Sequence, residues 1–290
     1  MMDRAQITTL TVQRNAILGL LLALAAVAWA LLLAWHGSDA EMNMAMASPT
    51  MGLRAPLFLA IWVTMMVAMM FPAVAPMVLI FHRVQAGRRQ RGGAFVPTWV
   101  FVAGYMLVWT VAGVAAYAAA LAAEAAAASA DLSPEMTARI GGAVLIAAGL
   151  YQVSPLKDLC LSKCRTPVGF IMTSWREGAG GALRMGLLHG AYCLGCCWLL
   201  FAILFPLGLM NIAAMAVLTA LVFAEKTLPW GRRAAQATAA LLIAYGTVVF
   251  VLPRALPTFT IGGGMVPAKG GMPMQMDIPG HGGPARSSSP

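Results

Sequence analysis

The chain has 290 residues, of which 60% are apolar and only 10% charged, with a formal net charge of +9 and a mean hydropathy of +0.79. A soluble domain keeps about a quarter of its residues charged, so the composition excludes an ordinary soluble enzyme and indicates an integral membrane protein in a lipid bilayer. The positive balance calls for no nucleic acid, because the basic residues gather at the ends of apolar segments.

A bilayer core about 30 Å thick takes roughly 20 helical residues to cross. By that measure the chain predicts an all-α polytopic bundle of about seven spans, at residues 16–35, 56–81, 98–122, 140–153, 183–205, 211–224 and 234–252. The fourth and sixth are short, which is compatible with tilted or re-entrant segments. The first is too long for a cleaved signal core and reads as an anchor. Fourteen of the 19 Lys and Arg residues fall on one alternating set of boundaries, which predicts a cytoplasmic N-terminus and an external C-terminus. Residues 1–252 then form the bundle. It carries a Met-rich external loop at 36–54 and a Cys-containing cytoplasmic segment at 154–167. Residues 253–290, rich in Met, Gly and Pro without an apolar period, read as a disordered tail.

Methionine is grouped. Met42, Met44, Met46 and Met51 occupy the external loop, and Met265, Met272, Met274 and Met276 the tail. Their polar surroundings give core packing no role there, and thioethers are uncharged soft donors suited to Cu(I). Met65, Met66, Met69 and Met70 lie in the second span, where methionine also serves as adaptable packing. Counted from outside at 1.5 Å per residue, they sit about 15–22 Å deep. Pro72 and Pro76 follow and free backbone carbonyls.

The five cysteines form two groups, Cys160-Leu-Ser-Lys-Cys164 and Cys193-Leu-Gly-Cys196-Cys197. In a continuous helix His189, Cys193, Cys196 and Cys197 share an arc of about 100°. Free cysteine also packs as a small hydrophobe, but three within five positions, one turn after a histidine, predict a metal or redox site. Met185 extends the same face. Gly186 and Gly190 form a small-xxx-small pair and Gly195 another point of close approach, which would bring a partner backbone near the donors. In the loop, Ser154 is placed to cap a short helix with Pro155 at its first position, and Thr166 before Pro167 to end it. Cys160 and Cys164 then lie one turn apart on one side, near Lys157, Lys163 and Arg165. In a reducing compartment that pair suits metal hand-off better than a stable disulfide.

Charge limits the coordination. Cu(I) with two thiolates carries −1 and with three −2, so in an apolar setting two thiolates are expected, with Met or imidazole completing the set. Zn(II) with two thiolates and His189 is neutral and stands as the alternative metal. The methionine groups favour copper.

Three ordered motifs, Met65-Met-Val-Ala-Met-Met-Phe-Pro72, Tyr151-Gln-Val-Ser-Pro-Leu-Lys-Asp-Leu-Cys160-Leu-Ser-Lys-Cys164-Arg-Thr-Pro167 and His189-Gly-Ala-Tyr-Cys193-Leu-Gly-Cys196-Cys197-Trp198, resemble a bacterial family described as predicted metal-binding integral membrane proteins. The resemblance covers roughly residues 55–250 and implies a metal site within the membrane, without naming the metal or a reaction. Glu225-Lys226 before Thr227-Leu-Pro229-Trp230 is also similar to that family's pattern. This pair reads either as an intramembrane acid with its counter-ion or, the reading that its position favours, as interfacial and reaching toward water. His36 and His82, at helix ends, read the same way, and His281 is a minor candidate beside the tail methionines.

The sequence therefore predicts a multi-pass protein of the bacterial inner membrane that handles Cu(I). The route runs from external methionines through Met65, Met66, Met69, Met70, His189, Cys193, Cys196 and Cys197 to Cys160 and Cys164. A metallochaperone or a membrane metalloenzyme would be the partner. The alternative is a membrane thiol-disulfide oxidoreductase cycling the cysteine pairs, for which mid-helix thiols are poorly placed. Without a nucleotide-binding loop, an enzymatic pump is not expected.

Overall fold

The computed structural model describes residues 4–36, 50, 52–92, 96–209 and 211–256. The loop methionines Met42, Met44, Met46 and Met51 and the tail with Met265, Met272, Met274, Met276 and His281 lie outside the described residues, as does the side chain of His36. The described chain is all-α. In order the helices are α1 (Arg4–His36), α2 (Ala55–Gln90), α3 (Thr98–Ser129), α4 (Pro134–Gln152), α5 (Pro155–Arg165), α6 (Pro167–Ser174), α7 (Gly178–Ala202), the single turn α8 (Leu204–Leu207), α9 (Ile212–Thr227) and α10 (Gly231–Val251). A 3-10 turn at Pro253–Ala255 follows.

Helix starts follow local chemistry. Ser133 accepts a hydrogen bond from the Met136 amide, Ser154 from that of Lys157 and Asn211 from that of Ala214, each satisfying one of the orphan N–H groups of a first turn. Proline stands just inside α4, α5 and α6, where its missing donor costs nothing. The expected cap at Ser154 and stop at Thr166 are both present. Pro72 and Pro76 lie inside the continuous helix α2.

Five helical stretches are long and apolar enough to cross a membrane: Thr9–Trp35, Ala55–Gln90, Thr98–Ser129, Gly178–Leu207 and Gly231–Val251. A sixth arises if α4 and α5, bent by 62° at their junction, count as one broken span. The segment expected at 211–224 is α9, whose 16 residues fall short of a full crossing.

α1 packs along α2, α3 against both α2 and α7, α4 against α10, and α5 against α7, while α9 contacts α2, α5 and α10. Small residues set the closest approaches. A Cβ on Gly186 would press into the backbone of α3 at Phe101 and Tyr105, and one on Gly104 into α7 at Leu183 and Leu187. The predicted small-residue face of α7 thus exists, and α3 is its partner. Gly142 and Gly246 do the same where α4 crosses α10.

Candidate metal centre

The close α3–α7 contact carries aromatic side chains onto the cysteine helix. Phe101, Tyr105 and Phe170 surround the His189 ring, with centroid separations of 6.0, 5.8 and 5.3 Å. His189 is only 3% exposed, and among the described residues its Nδ1 has no hydrogen-bond partner. One turn on, Cys193 Sγ lies 3.0 Å from the Tyr105 hydroxyl and accepts a hydrogen bond from Lys226 Nζ at 2.9 Å. Cys196 donates to the Cys193 carbonyl at 3.1 Å, and its sulfur is 3.3 Å from that of Cys197.

The cysteine groups separated in sequence meet in space. The sharp turn between α4 and α5 lays α5 on α7 and brings Cys164 to the cavity that Cys193 also lines. Cys160 faces Gly195, where a side chain of any size would collide with its sulfur. The neighbouring Gly195 carbonyl accepts from the Tyr151 hydroxyl at 2.5 Å. All five cysteines are free thiols; Cys164 is half-buried and the other four are buried.

A cavity of about 190 Å³ opens beside this group, lined by Cys164, Arg165 and Pro167 on one side and by His189, Cys193, Lys226 and Thr227 on the other. Its remaining wall is α2, through Ala73, Val74, Pro76 and Met77. The second and fifth predicted spans therefore face each other across the cavity. Met65, Met66, Met69 and Met70 are fully buried in the same core and lie on α2 before the cavity wall. At 100° per residue Met66, Met70, Ala73 and Met77 fall within about 60° of arc, so the methionine face runs along α2 to the cavity. Met77 is the methionine that reaches it, and the sequence grouping passed over it.

Arg165 ties the cavity wall to α9. Its guanidinium donates to the Glu225 carbonyl at 2.9 Å, an orphan acceptor of the last turn, and to the Leu228 carbonyl just past the helix at 2.8 Å. The expectation that Glu225 and Lys226 reach toward water is corrected here. Glu225 is 1% and Lys226 9% exposed, and they do not pair with each other. Glu225 is held by Lys157 Nζ at 2.7 Å and Gln152 Nε2 at 3.0 Å, while Lys226 turns to Cys193. Successive helical residues point about 100° apart, so each finds its own partner. His82 is likewise buried rather than interfacial, with Nδ1 3.3 Å from Thr98 Oγ1.

Among the described residues, no three or more His, Cys, Asp or Glu side chains already converge as a coordination sphere. The thiols approach one another in pairs, with Lys226 and Tyr105 occupying the space around Cys193. Chemically the group offers two or more sulfurs, one unpartnered imidazole nitrogen and a thioether wall, with no carboxylate lining the cavity. That donor set fits a soft ion of low coordination number better than a hard one.

Comparison with curated proteins and with solved structures finds no match. A protein-family comparison does: residues 59–249, which contain α3 to α9 and nearly all of α2 and α10, match the family PpoB2, described as a copper chaperone. The matched region holds the thiols, His189, Lys226 and the methionine face of α2, and the chain belongs to this copper chaperone family.

Proposed function

We propose that the protein is an integral chaperone of the bacterial inner membrane that takes up Cu(I) as cargo and passes it between thioether and thiolate donors. The observation that carries this reading is the meeting of half-buried Cys164 with buried Cys193 beside His189, whose Nδ1 has no partner among the described residues, at one cavity. Buried sulfurs hold a soft ion, and the accessible one is where it enters or leaves.

In the predicted orientation α5 and α6 lie on the cytoplasmic side, and the methionine face of α2 leads inward from outside. Cargo collected by the external methionines would follow Met65, Met66, Met69 and Met70 to Met77 and the cavity, then bind Cys193 with Cys196, Cys197 or Cys164. Cys164 would exchange it with a metallochaperone or a membrane metalloenzyme. Cys160, one turn away, supports the α5–α7 contact and is a second acceptor. Zn(II) is the competing ion, and the family description supports copper over it. The thiol-disulfide oxidoreductase reading is not favoured by the copper chaperone family.

The test is metal content after anaerobic purification from cells supplied with both copper and zinc. The expected result is near-stoichiometric copper in the wild type, lost in the Cys193→Ser, Cys196→Ser, Cys197→Ser triple variant. No copper in either protein would overturn the reading.

A further inference from the structure

Lys226 is buried, yet the described ion pairs leave it without a carboxylate. Glu225 is taken by Lys157, Asp158 by Arg232 and Glu177 by Arg88. Its polar contact is the Cys193 sulfur, at 2.9 Å. A buried ammonium is costly unless a counter-charge meets it. A thiolate at Cys193 supplies one, and Lys226 lines the same cavity as Cys164 and His189.

The charges around the cavity then fall into two sets. Lys157 and Glu225 cancel each other at 2.7 Å. Arg165, the other cation of the lining, is only half-buried and spends its donors on the Glu225 and Leu228 carbonyls, so its charge is screened by solvent. Lys226 remains as the buried positive charge beside the thiols. A monovalent ion on two thiolates has a net charge of −1, and with Lys226 the ensemble is neutral. A divalent ion on the same two thiolates is already neutral, and with Lys226 the ensemble carries +1 in an apolar setting. A divalent ion could recover neutrality by taking a third thiolate. That third thiolate would have to move in, because among the described residues no three such donors already converge on one point. Tyr105, whose hydroxyl lies 3.0 Å from the Cys193 sulfur, would donate to a thiolate there without adding charge.

We infer that Lys226 is a specificity-determining residue: a built-in counter-charge that makes a two-thiolate site neutral with a monovalent soft ion and penalises a divalent one. This inference rests on the proposed copper function and deepens it, because it gives the site a means of sorting ions by charge in addition to softness.

The test compares wild type, Lys226→Met, Lys226→Arg and Tyr105→Phe in the full chain in detergent, with Ag(I) as the monovalent probe and Zn(II) as the divalent one. With an effective dielectric of about 20 and a charge on the order of 5 Å from the ion, one unit of charge is worth about a hundredfold in affinity. Lys226→Met is therefore expected to lower the Ag(I)-over-Zn(II) preference by about a hundredfold, and Lys226→Arg to preserve it. Tyr105→Phe should weaken both ions by a similar factor. If Lys226→Met also weakens both equally, Lys226 only positions Cys193 and the inference is overturned. Should Met not be tolerated, Lys226→Gln decides, since it keeps polarity and drops the charge. Failure of the wild type to bind Ag(I) would instead sink the copper function itself, and the inference with it.

Discussion

Gly186→Ala tests whether the α3–α7 contact builds the site. A Cβ there would lie 3.0 Å from the Phe101 carbonyl carbon and 3.1 Å from the Tyr105 nitrogen, and closer still to the Phe101 oxygen. Carbon atoms rest about 3.5–4.0 Å apart and the Phe101 oxygen is the nearest atom, so the helices must separate by about 1 Å or more, because a backbone in mid-helix cannot rotate aside. Tyr105 lies on the displaced helix and Cys193 two turns along α7. Their 3.0 Å contact would open toward the limit of a sulfur hydrogen bond. Overpacking costs about 1–3 kcal/mol and the lost buried hydrogen bond about 1 kcal/mol more, so a destabilisation of about 2–4 kcal/mol is expected, with weaker Ag(I) binding. Gly195→Ala is the control on the same helix. Its Cβ meets only the Cys160 sulfur at 2.8 Å, which a χ1 rotation can move, and the cost should stay below about 1 kcal/mol. Unfolding in detergent, followed by tryptophan fluorescence, measures both variants. Equal stability of the two, with unchanged Ag(I) affinity, would refute the argument.

Two further outcomes follow from burial. Lys157→Met leaves Glu225 with only Gln152 in a site where both charged side chains are 1% exposed, and should cost about 3–5 kcal/mol. The Lys157→Met, Glu225→Gln double variant should recover most of that loss in the same unfolding assay, and additive losses would show that the pair does not act as a unit. Under brief maleimide treatment followed by mass spectrometry, half-buried Cys164 should be alkylated before Cys160, Cys193, Cys196 and Cys197, and Ag(I) should protect it. Faster labelling of Cys193 would contradict the buried placement of the thiol group.

Sequence periodicity was enough to place His189, Cys193, Cys196 and Cys197 on one helix face, because that relation is set within a single helix. The same holds for Ser154, Pro155 and Thr166, which bound α5 through local backbone chemistry. What periodicity does not carry is the direction in which α5 leaves α4. The 62° bend decides that Cys164 reaches the cavity lined by Cys193. Span counting was imprecise for a related reason: α4, α5 and α9 are individually short, and their apolar content does not say whether they cross, turn back or pack as fragments. Met77 was hidden by Pro72 and Pro76, which interrupt the methionine run in sequence but not the face of the continuous helix.

Lys226 shows where a physical signal was present and outweighed. Glu225-Lys226 reads as a self-neutralising pair when adjacency is taken for contact, yet helical neighbours diverge by about 100° and cannot pair across one turn. That geometry alone requires two separate partners for two buried charges. One partner is the Lys157 ammonium on α5, the other the Cys193 sulfur on α7, so α9 is fastened to both helices that carry cysteines. The charge that would select the cargo is thus fixed at the junction of the two helices that carry Cys164 and Cys193. Loosening α9 would at once withdraw the ammonium from Cys193 and the carboxylate from Lys157, while α5 stays packed on α7.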